Sequence, residues 1–254
     1  MESVARGVQI AFMTGYTASM NSDQWLELDR STAMKRWYSE FYKANSYSGS
    51  AGLIQSWMHR SLERNYTRST RFGSVLEVGG NLGEHAPFVH HGYEQYVISD
   101  LADLLSPQER IRLAARGMRF EIADVLDLPY SDDSFDRVLN TCVLHHVTDG
   151  EGALQEMRRV LVPGGTADIF LPSDPGLLFR WSKQLGPVRA ARRKGLQDVK
   201  TLVDARDHRN HVGGLLRLLR HVFRHDEVTR STYPIPGMTW NSSLWITYRV
   251  CKRH

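Results

Sequence analysis

The sequence predicts an α/β protein with a doubly wound, mostly parallel sheet, because strand-like and helix-like segments alternate through its middle. Strand character occurs at residues 74–78, 96–99, 118–122, 135–139 and 167–171. Before the fifth strand, apolar residues recur at helical spacing from Ala153 to Leu161, and Pro163-Gly164-Gly165 is expected to end that helix. Strands separated by helices pair in parallel through right-handed crossovers.

The N-terminal part differs from this alternation. Residues 1–72 are polar and rich in aromatic side chains, with helical spacing near 29–44 and again near 53–62. We therefore expect a helical cap or lid at 1–72 and a main domain at 73–254.

The C-terminal part contains a basic stretch and a strand pair. A basic insert is expected at about 174–212, followed by a helix near 209–224. Alternating residues at 228–232 and 244–251 predict two terminal strands.

The composition excludes several classes of protein. Of 254 residues, 41% are hydrophobic and 24% are charged, which excludes a largely disordered chain. No apolar run approaches the ~18 residues of a membrane span. With only two cysteines, Cys142 and Cys251, and no leader-like start, we expect a cytoplasmic location. The net charge of +4 fits anionic substrates but does not indicate nucleic-acid binding.

The segment Val75–Gly83 has the pattern of a strand that runs into a glycine-rich turn, with a helix expected after it. Glycines allow sharp bends and let a ligand approach the main chain. Asp100 ends the next strand about 20 positions after Gly79, where an acid can accept hydrogen bonds from ribose hydroxyls. Asp124 ends the third strand and could receive the exocyclic amine of an adenine. Together with Glu77, these acids are expected around one crevice at the carboxyl edge of the sheet.

Four blocks of sequence carry a family resemblance. The blocks are Val75–Gly83, Ile98–Asp100, Asp124–Tyr130 leading into Phe135–Val138, and Leu144–Val147 with Arg158–Gly165. In this order they resemble class I S-adenosylmethionine-dependent methyltransferases of the small-molecule type, similar to ubiquinone/menaquinone-biosynthesis methyltransferases. The resemblance implies a Rossmann-like, seven-stranded sheet of order 3-2-1-4-5-7-6 with the last strand antiparallel. A dehydrogenase fits less well, because the glycine spacing departs from G-x-G-x-x-G.

The resemblance also implies S-adenosylmethionine as the cofactor, with S-adenosylhomocysteine as its product. The residues it assigns to the cofactor are Glu77, Val78, Gly79, Gly80, Asn81, Gly83, Asp100, Leu101, Asp124, Val125, Asn140 and Thr141. Asp100 would hold the ribose, and the glycines would cradle the methionine part. Asn81 stands where the family usually has glycine. Because asparagine tolerates positive φ, the turn is expected to persist, with a weakened cofactor site as the alternative.

Two adjacent histidines are the candidate catalytic groups. Methyl transfer from a sulfonium is an in-line displacement, and a hydroxyl acceptor also loses a proton. His145 and His146 follow the fourth strand, near the expected methyl position, and one of them is expected to be the base. Asp174 could orient that ring. No metal site is predicted, because His208 and His211 have too few further ligands nearby in the sequence.

The expected acceptor is a small polar molecule methylated on oxygen. The basic segment 180–194 suggests a phosphate- or carboxylate-bearing acceptor, such as a sugar derivative or an acidic natural product. A solvated helix face and contact with an anionic membrane surface are the other interpretations of this segment.

Three alternative functions stay open. They are methylation on nitrogen or carbon, an RNA methyltransferase, and an inactive cofactor-binding homologue that acts as a partner protein. DNA is not expected as a partner, RNA is disfavoured, and a dimer is left open.

Overall fold

Seven strands and eight α-helices make up the described part of the chain. In a computed structural model, these residues are 22–28, 32, 37, 49–185 and 187–253. The strands are β1 (Arg71–Val78), β2 (Gly92–Asp100), β3 (Met118–Ile122), β4 (Phe135–Thr141), β5 (Leu161–Pro172), β6 (Glu227–Tyr233) and β7 (Trp245–Cys251). The α-helices are α1 (Ser22–Leu26), α2 (Gly49–Glu63), α3 (Pro107–Ala114), α4 (Gly150–Arg159), α5 (Leu177–Leu185), α6 (Pro187–Arg193), α7 (Gln197–Asp207) and α8 (Val212–Val222). The helix predicted near 29–44 lies outside the described residues, apart from 32 and 37.

The strands form one sheet in the order β3-β2-β1-β4-β5-β7-β6. Strand β1 pairs in parallel with both β2 and β4, so that Val75 lies between Tyr96 and Arg137. Strand β7 runs antiparallel to both β5 and β6. The strand order and the antiparallel β7 confirm the expected Rossmann-like sheet.

Helices cover both faces of the sheet, because its central strands are apolar on both faces. The neighbouring residues Leu76 and Val75 belong to different clusters, as alternation along a strand requires. The Leu76 cluster includes Leu154 of α4 and Leu215 of α8, whereas Val75 packs with Leu113 of α3. The carboxyl edge of the parallel strands is thereby left open between these two layers.

The N-terminal helix α2 packs directly on the sheet. Its buried residues Met58 and Leu62 share a cluster with Phe170 of β5 and Trp245 of β7. Strand β1 already begins at Arg71, and the division into a cap at 1–72 and a domain at 73–254 stays a prediction. None of the described helices is both long and apolar enough to cross a membrane.

Two local expectations are wrong. Helix α4 ends at Arg159 and β5 begins at Leu161, so Pro163-Gly164-Gly165 lies within the strand instead of before it. Gly164 has a φ of 80°, and the register with β4 shifts between Phe135 and Arg137, which together accommodate the irregular segment. The turn after β1 is followed by a short 3₁₀ helix at Ala86–Phe88 and not by an α-helix, because positive φ persists as far as Gly83.

A buried ionic network ties α2 to the middle of the sheet. Arg137 of β4 is fully buried, with its Nε 2.8 Å from Oδ2 of Asp168 and its Nη1 2.7 Å from Oε1 of Glu63. Asp168 also accepts hydrogen bonds from the Tyr66 hydroxyl at 2.5 Å and from Nε of Arg249 at 3.2 Å. Because buried charges are tolerated only when paired, each member of this network constrains the others.

Replacing Asp168 by alanine should strongly destabilise the fold. The change leaves the buried guanidinium of Arg137 without its β5 partner, and we expect a loss of about 3–5 kcal/mol in the free energy of unfolding. Urea denaturation measures this loss. The control Asp132→Ala removes a carboxylate that is 74% exposed and pairs with Arg159, and should cost at most about 1 kcal/mol. Equal losses in the two variants would contradict a structural role for the network.

Candidate functional site

A cavity of about 1080 Å³ opens at the carboxyl edge of the parallel strands. Its walls include the ends of β1, β2, β4 and β5, together with residues of α2, α5, α6 and α7. In sheets of this kind, ligands bind outside the carboxyl ends of the strands, where neighbouring connections diverge. The volume is sufficient for a nucleoside-sized ligand and a second small molecule.

The turn after β1 forms one wall of the cavity and has an unusual backbone. Gly79, Asn81 and Gly83 all have positive φ, at 65°, 46° and 71°. A Cβ on Gly79 would come within 1.7 Å of Cγ2 of Val143, so only glycine lets the turn approach the loop after β4. Asn81 adopts the positive φ that asparagine tolerates, and its side chain donates to Oε1 of Glu84 at 3.0 Å. The turn therefore persists without a glycine at position 81.

Asp100, at the end of β2, is fixed against this turn. Its Oδ2 accepts a hydrogen bond from the backbone N–H of Asn81 at 2.9 Å, and its Oδ1 accepts one from Leu101 at 2.8 Å. Burial raises the pKa of Asp100 despite these bonds. A carboxylate can accept about four hydrogen bonds, so Asp100 retains capacity for hydroxyl donors of a ligand in the cavity.

Glu77, on β1, lines the same cavity and is more buried than Asp100. The side chain is fully buried, and burial raises the pKa of its carboxyl group. Its Oε2 accepts from the Tyr96 hydroxyl at 3.0 Å, and its Oε1 accepts from Oγ1 of Thr141 at 3.3 Å. These bonds hold Glu77 in place between β1 and β4.

Most residues predicted to bind the cofactor line the cavity, but three do not. Those on the wall are Glu77, Val78, Gly79, Asn81, Asp100, Leu101, Asp124, Val125 and Thr141, and those absent from it are Gly80, Gly83 and Asn140. Asp124 lies two residues beyond the end of β3, which is Ile122, and its Oδ1 accepts from the N–H of Leu126 at 2.9 Å. Gly83 is instead pressed against Leu113 of α3, where a Cβ would lie 2.8 Å from Cδ2.

A cluster of three histidines forms another part of the wall. The ring centroids of His145 and His146 are 3.8 Å apart, and those of His145 and His208 are 4.7 Å apart. Burial, followed by the charges of the other two rings, lowers the pKa of His145 well below its usual range. His145 is therefore neutral at pH 7, whereas the side chain of His146 is 30% exposed.

Asp174 does not contact the predicted histidine pair. Its Oδ2 lies 2.9 Å from Nδ1 of His208, the third ring of the cluster. The carboxylate nearest to the pair is Asp207, whose Oδ2 is 3.0 Å from Nδ1 of His146, outside good hydrogen-bond geometry. The sequence pairs His208 only with His211, as a set with too few metal ligands, and a tertiary contact brings His208 to the site.

A second histidine group on the wall was missed in the sequence. Nδ1 of His59 on α2 lies 3.0 Å from Nδ1 of His85, whose Nε2 lies 2.9 Å from Oε1 of Glu63. Burial, with a smaller contribution from His85, lowers the pKa of His59 to about 3. Burial raises the pKa of Glu63, but Arg137 and His85 outweigh it and hold that pKa at about 2. His59 and Glu63 are separated from His85 along the sequence by strand β1, so the contact among them arises only from the fold.

The mouth of the cavity combines apolar and cationic side chains. Leu101, Leu104 and Leu185 are 69%, 56% and 70% exposed. Arg189 and Arg193 of α6 are also exposed there. A ligand at this mouth would meet both apolar surface and positive charge.

Comparison with known proteins gives one family match. Residues 76–169 match the family described as a methyltransferase domain. A putative methyltransferase of Encephalitozoon cuniculi is 34% identical over 142 residues, which cover 54% of this chain and 62% of that protein. The ubiquinone/menaquinone biosynthesis C-methyltransferase UbiE of Idiomarina loihiensis is 33% identical over 133 residues, which cover 50% of this chain and 52% of that protein. The chain thus spans about half the length of these curated relatives.

The fold also resembles solved structures. A crystal structure of an S-adenosylmethionine-dependent methyltransferase from Thermotoga maritima, described as a possible histamine N-methyltransferase, aligns with a TM-score of 0.51. The alignment covers 88% of this chain and 96% of that chain at 17% identity. At this identity the likeness shows the fold alone.

The buried His59 should make stability depend on pH. Because its pKa is lowered in the folded protein, the unfolded chain binds more protons below about pH 6.5, and this contribution to stability is lost as the pH falls. The stability advantage of the wild type over His59→Gln should shrink by about 2 kcal/mol between pH 7 and pH 5, measured by urea denaturation.

The wild type must be compared with a variant because Glu84 changes the free energy of unfolding with pH in the direction opposite to His59. Burial raises the pKa of Glu84 to about 7, so the fold gains stability from that group as the pH falls. The control His221→Gln replaces a histidine whose side chain is 62% exposed, and its stability difference from the wild type is the reference for the His59 comparison. A pH-independent difference for His59→Gln would show that His59 is not held neutral.

Proposed function

This chain carries a methyltransferase domain of the class I S-adenosylmethionine-dependent family, and we propose that the protein transfers a methyl group from S-adenosylmethionine to a small polar acceptor. The observation that carries the proposal is the arrangement of Asp100 beside the positive-φ turn at the cavity. When bound, S-adenosylmethionine supplies an electrophilic methyl group on a sulfonium centre that is its own leaving group.

The residues of the cavity fit an adenosyl cofactor. Asp100 is held by two backbone N–H groups and keeps acceptor capacity for two ribose hydroxyls. Leu101 and Val125 both line the cavity and offer apolar surface that could cover an adenine ring. We assign ribose binding to Asp100, adenine contact to Leu101, Asp124 and Val125, and the methionine end to the turn at Gly79.

Glu77 is the candidate partner for the methionine ammonium group. It is a fully buried acid on the wall, and its two oxygens are already oriented by Tyr96 and Thr141. A nearby cation would favour the ionised carboxylate that burial alone disfavours. Gly80, Gly83 and Asn140 support the turn and the end of β4 without lining the cavity.

The proposed acceptor is an anionic or strongly polar small molecule, and the proposed methylated atom is an oxygen. Support comes from Arg189 and Arg193 at the mouth, since guanidinium groups bind phosphate and carboxylate in bidentate fashion. Positioning the acceptor in line with the methyl group is the main catalytic contribution expected of the protein. The histidine cluster lies on the same wall, and proton removal by His145 or His146 stays a prediction.

Carbon methylation is the second candidate. The relative from Idiomarina loihiensis is named a C-methyltransferase, and no side chain of the described cavity selects an oxygen over a carbon acceptor. An inactive cofactor-binding homologue is less favoured, since Asn81 keeps the turn in the positive-φ conformation. An RNA acceptor is less favoured, because the sequence carries no RNP-like motif that would stack bases.

Substitution of Asp100 tests the cofactor assignment. Calorimetric titration of Asp100→Ala with S-adenosylmethionine should show binding weaker by about 1.5–3 kcal/mol, or roughly 10- to 150-fold, because charge-assisted hydrogen bonds are lost. The matched control is Asp103→Ala, an exposed aspartate in the same loop that pairs with Arg110 and does not line the cavity. Its affinity should equal that of the wild type. Equal affinities of Asp100→Ala and the wild type would remove the ribose assignment.

A further inference from the structure

The three histidines of the cavity wall bring their nitrogen atoms together around one point. One ligand nitrogen from each of His145, His146 and His208 lies within 4.8 Å of the other two. The first two rings follow β4 and the third follows α7, so two distant segments of the chain meet there. Three nitrogens around one ion at about 2.1 Å would be about 3.4 Å apart, which modest rotation of the rings can achieve.

One of the rings, His208, carries the hydrogen-bonded carboxylate partner that metal-binding histidines usually have, and a second ring, His146, has a carboxylate close by. Nδ1 of His208 is 2.9 Å from Oδ2 of Asp174, and Nδ1 of His146 is 3.0 Å from Oδ2 of Asp207. In metal sites a carboxylate on the second ring nitrogen fixes the tautomer and directs the other nitrogen toward the ion. For His208, whose Nδ1 is bonded to Asp174, Nε2 is the nitrogen left for an ion.

Main-chain hydrogen bonds hold the two segments together. The backbone N–H groups of Arg209 and Asn210 both donate to the carbonyl of His145, at 2.8 and 3.1 Å. The side chain of Asn210 also donates to the carbonyls of Leu144 and Val147, both at 2.9 Å. The histidine cluster is thus built into the fold without requiring an ion to assemble it.

The surroundings contain Lys183 and Lys200, and both are paired with carboxylates. Nζ of Lys183 lies 2.9 Å from Oδ2 of Asp204 and 3.5 Å from Oδ2 of Asp174. Lys200 is likewise paired with Asp204, at 2.7 Å. These acids offset the ammonium charges that would otherwise disfavour a cation beside the rings.

We propose that His145, His146 and His208 bind one divalent transition metal ion, with a coordination position open to the acceptor side of the cavity. Three neutral imidazoles suit zinc, iron, cobalt or nickel, whereas magnesium and calcium prefer oxygen ligands. Catalytic zinc sites commonly have three protein ligands and one open position. The proposal rests on the proposed function for its role, which is to bind an acceptor oxygen and lower the pKa of its hydroxyl group.

His145 and His146 cannot bind the ion and also act as the general base. An ion bound to these nitrogens occupies the lone pairs that a general base needs. Metal binding would therefore replace proton removal by His145 or His146 with loss of the hydroxyl proton to solvent on coordination. Because the sequence alone does not bring His208 to the pair, it predicted no metal site here.

Cobalt titration of the full chain after treatment with a chelator tests the proposal. We expect one Co²⁺ per chain, with visible absorption of cobalt bound to nitrogen, and at least a tenfold weaker affinity for His208→Gln. Asp174→Asn should weaken affinity by 10- to 100-fold, because it removes the carboxylate that orients His208 while leaving its ring in place. The matched control His221→Gln alters an exposed histidine outside the cavity and should bind Co²⁺ like the wild type.

The outcomes separate this proposal from the proposed function. No Co²⁺ binding by the folded wild type, or equal binding by the wild type and His208→Gln, would overturn the metal site. Thermal unfolding of each variant in the absence of metal establishes that it is folded, and Asp174→Asn gives an independent result if His208→Gln is not. Titration of the chelator-treated protein with S-adenosylmethionine tests the cofactor site separately, because none of its assigned residues is a metal ligand.

Discussion

The approach of the β1 turn to the loop after β4 is the constraint on which the site depends. Gly79 has no Cβ and can therefore lie against Val143, and this contact sets the distance between the turn and the histidine-bearing loop. The same turn presents the N–H of Asn81 to Asp100 and so fixes the acid at the end of β2. A single close backbone contact thus positions one wall of the cavity relative to the other.

A second constraint acts from below the cavity. The buried guanidinium of Arg137 links Glu63 of α2 to Asp168 of β5, and Glu63 also contacts His85 beside the turn. Helix α2 is consequently part of the site's framework, and its His59 reaches the cavity wall. The charges that anchor α2 therefore also hold His85 in place on the cavity wall.

Local patterns account for what could be predicted from the sequence. Strand β3 matches residues 118–122, and the acids at Asp100 and Asp124 meet at one edge because parallel strands share their carboxyl ends. The start of β5 at Leu161 was not predicted, because buried apolar residues are equally typical of the end of a helix and of the start of a strand. The contact of His208 with His145 and the Glu63 network depend on tertiary structure, for which spacing along the chain carries no signal.

The most direct test of the account is a crystal structure of the protein with S-adenosylhomocysteine. The account predicts the ligand in the cavity at the carboxyl edge, with both ribose hydroxyls within hydrogen-bond distance of Asp100 and the adenine between Leu101 and Val125. A ligand bound elsewhere, or bound in the cavity with its ribose turned away from Asp100, would contradict it.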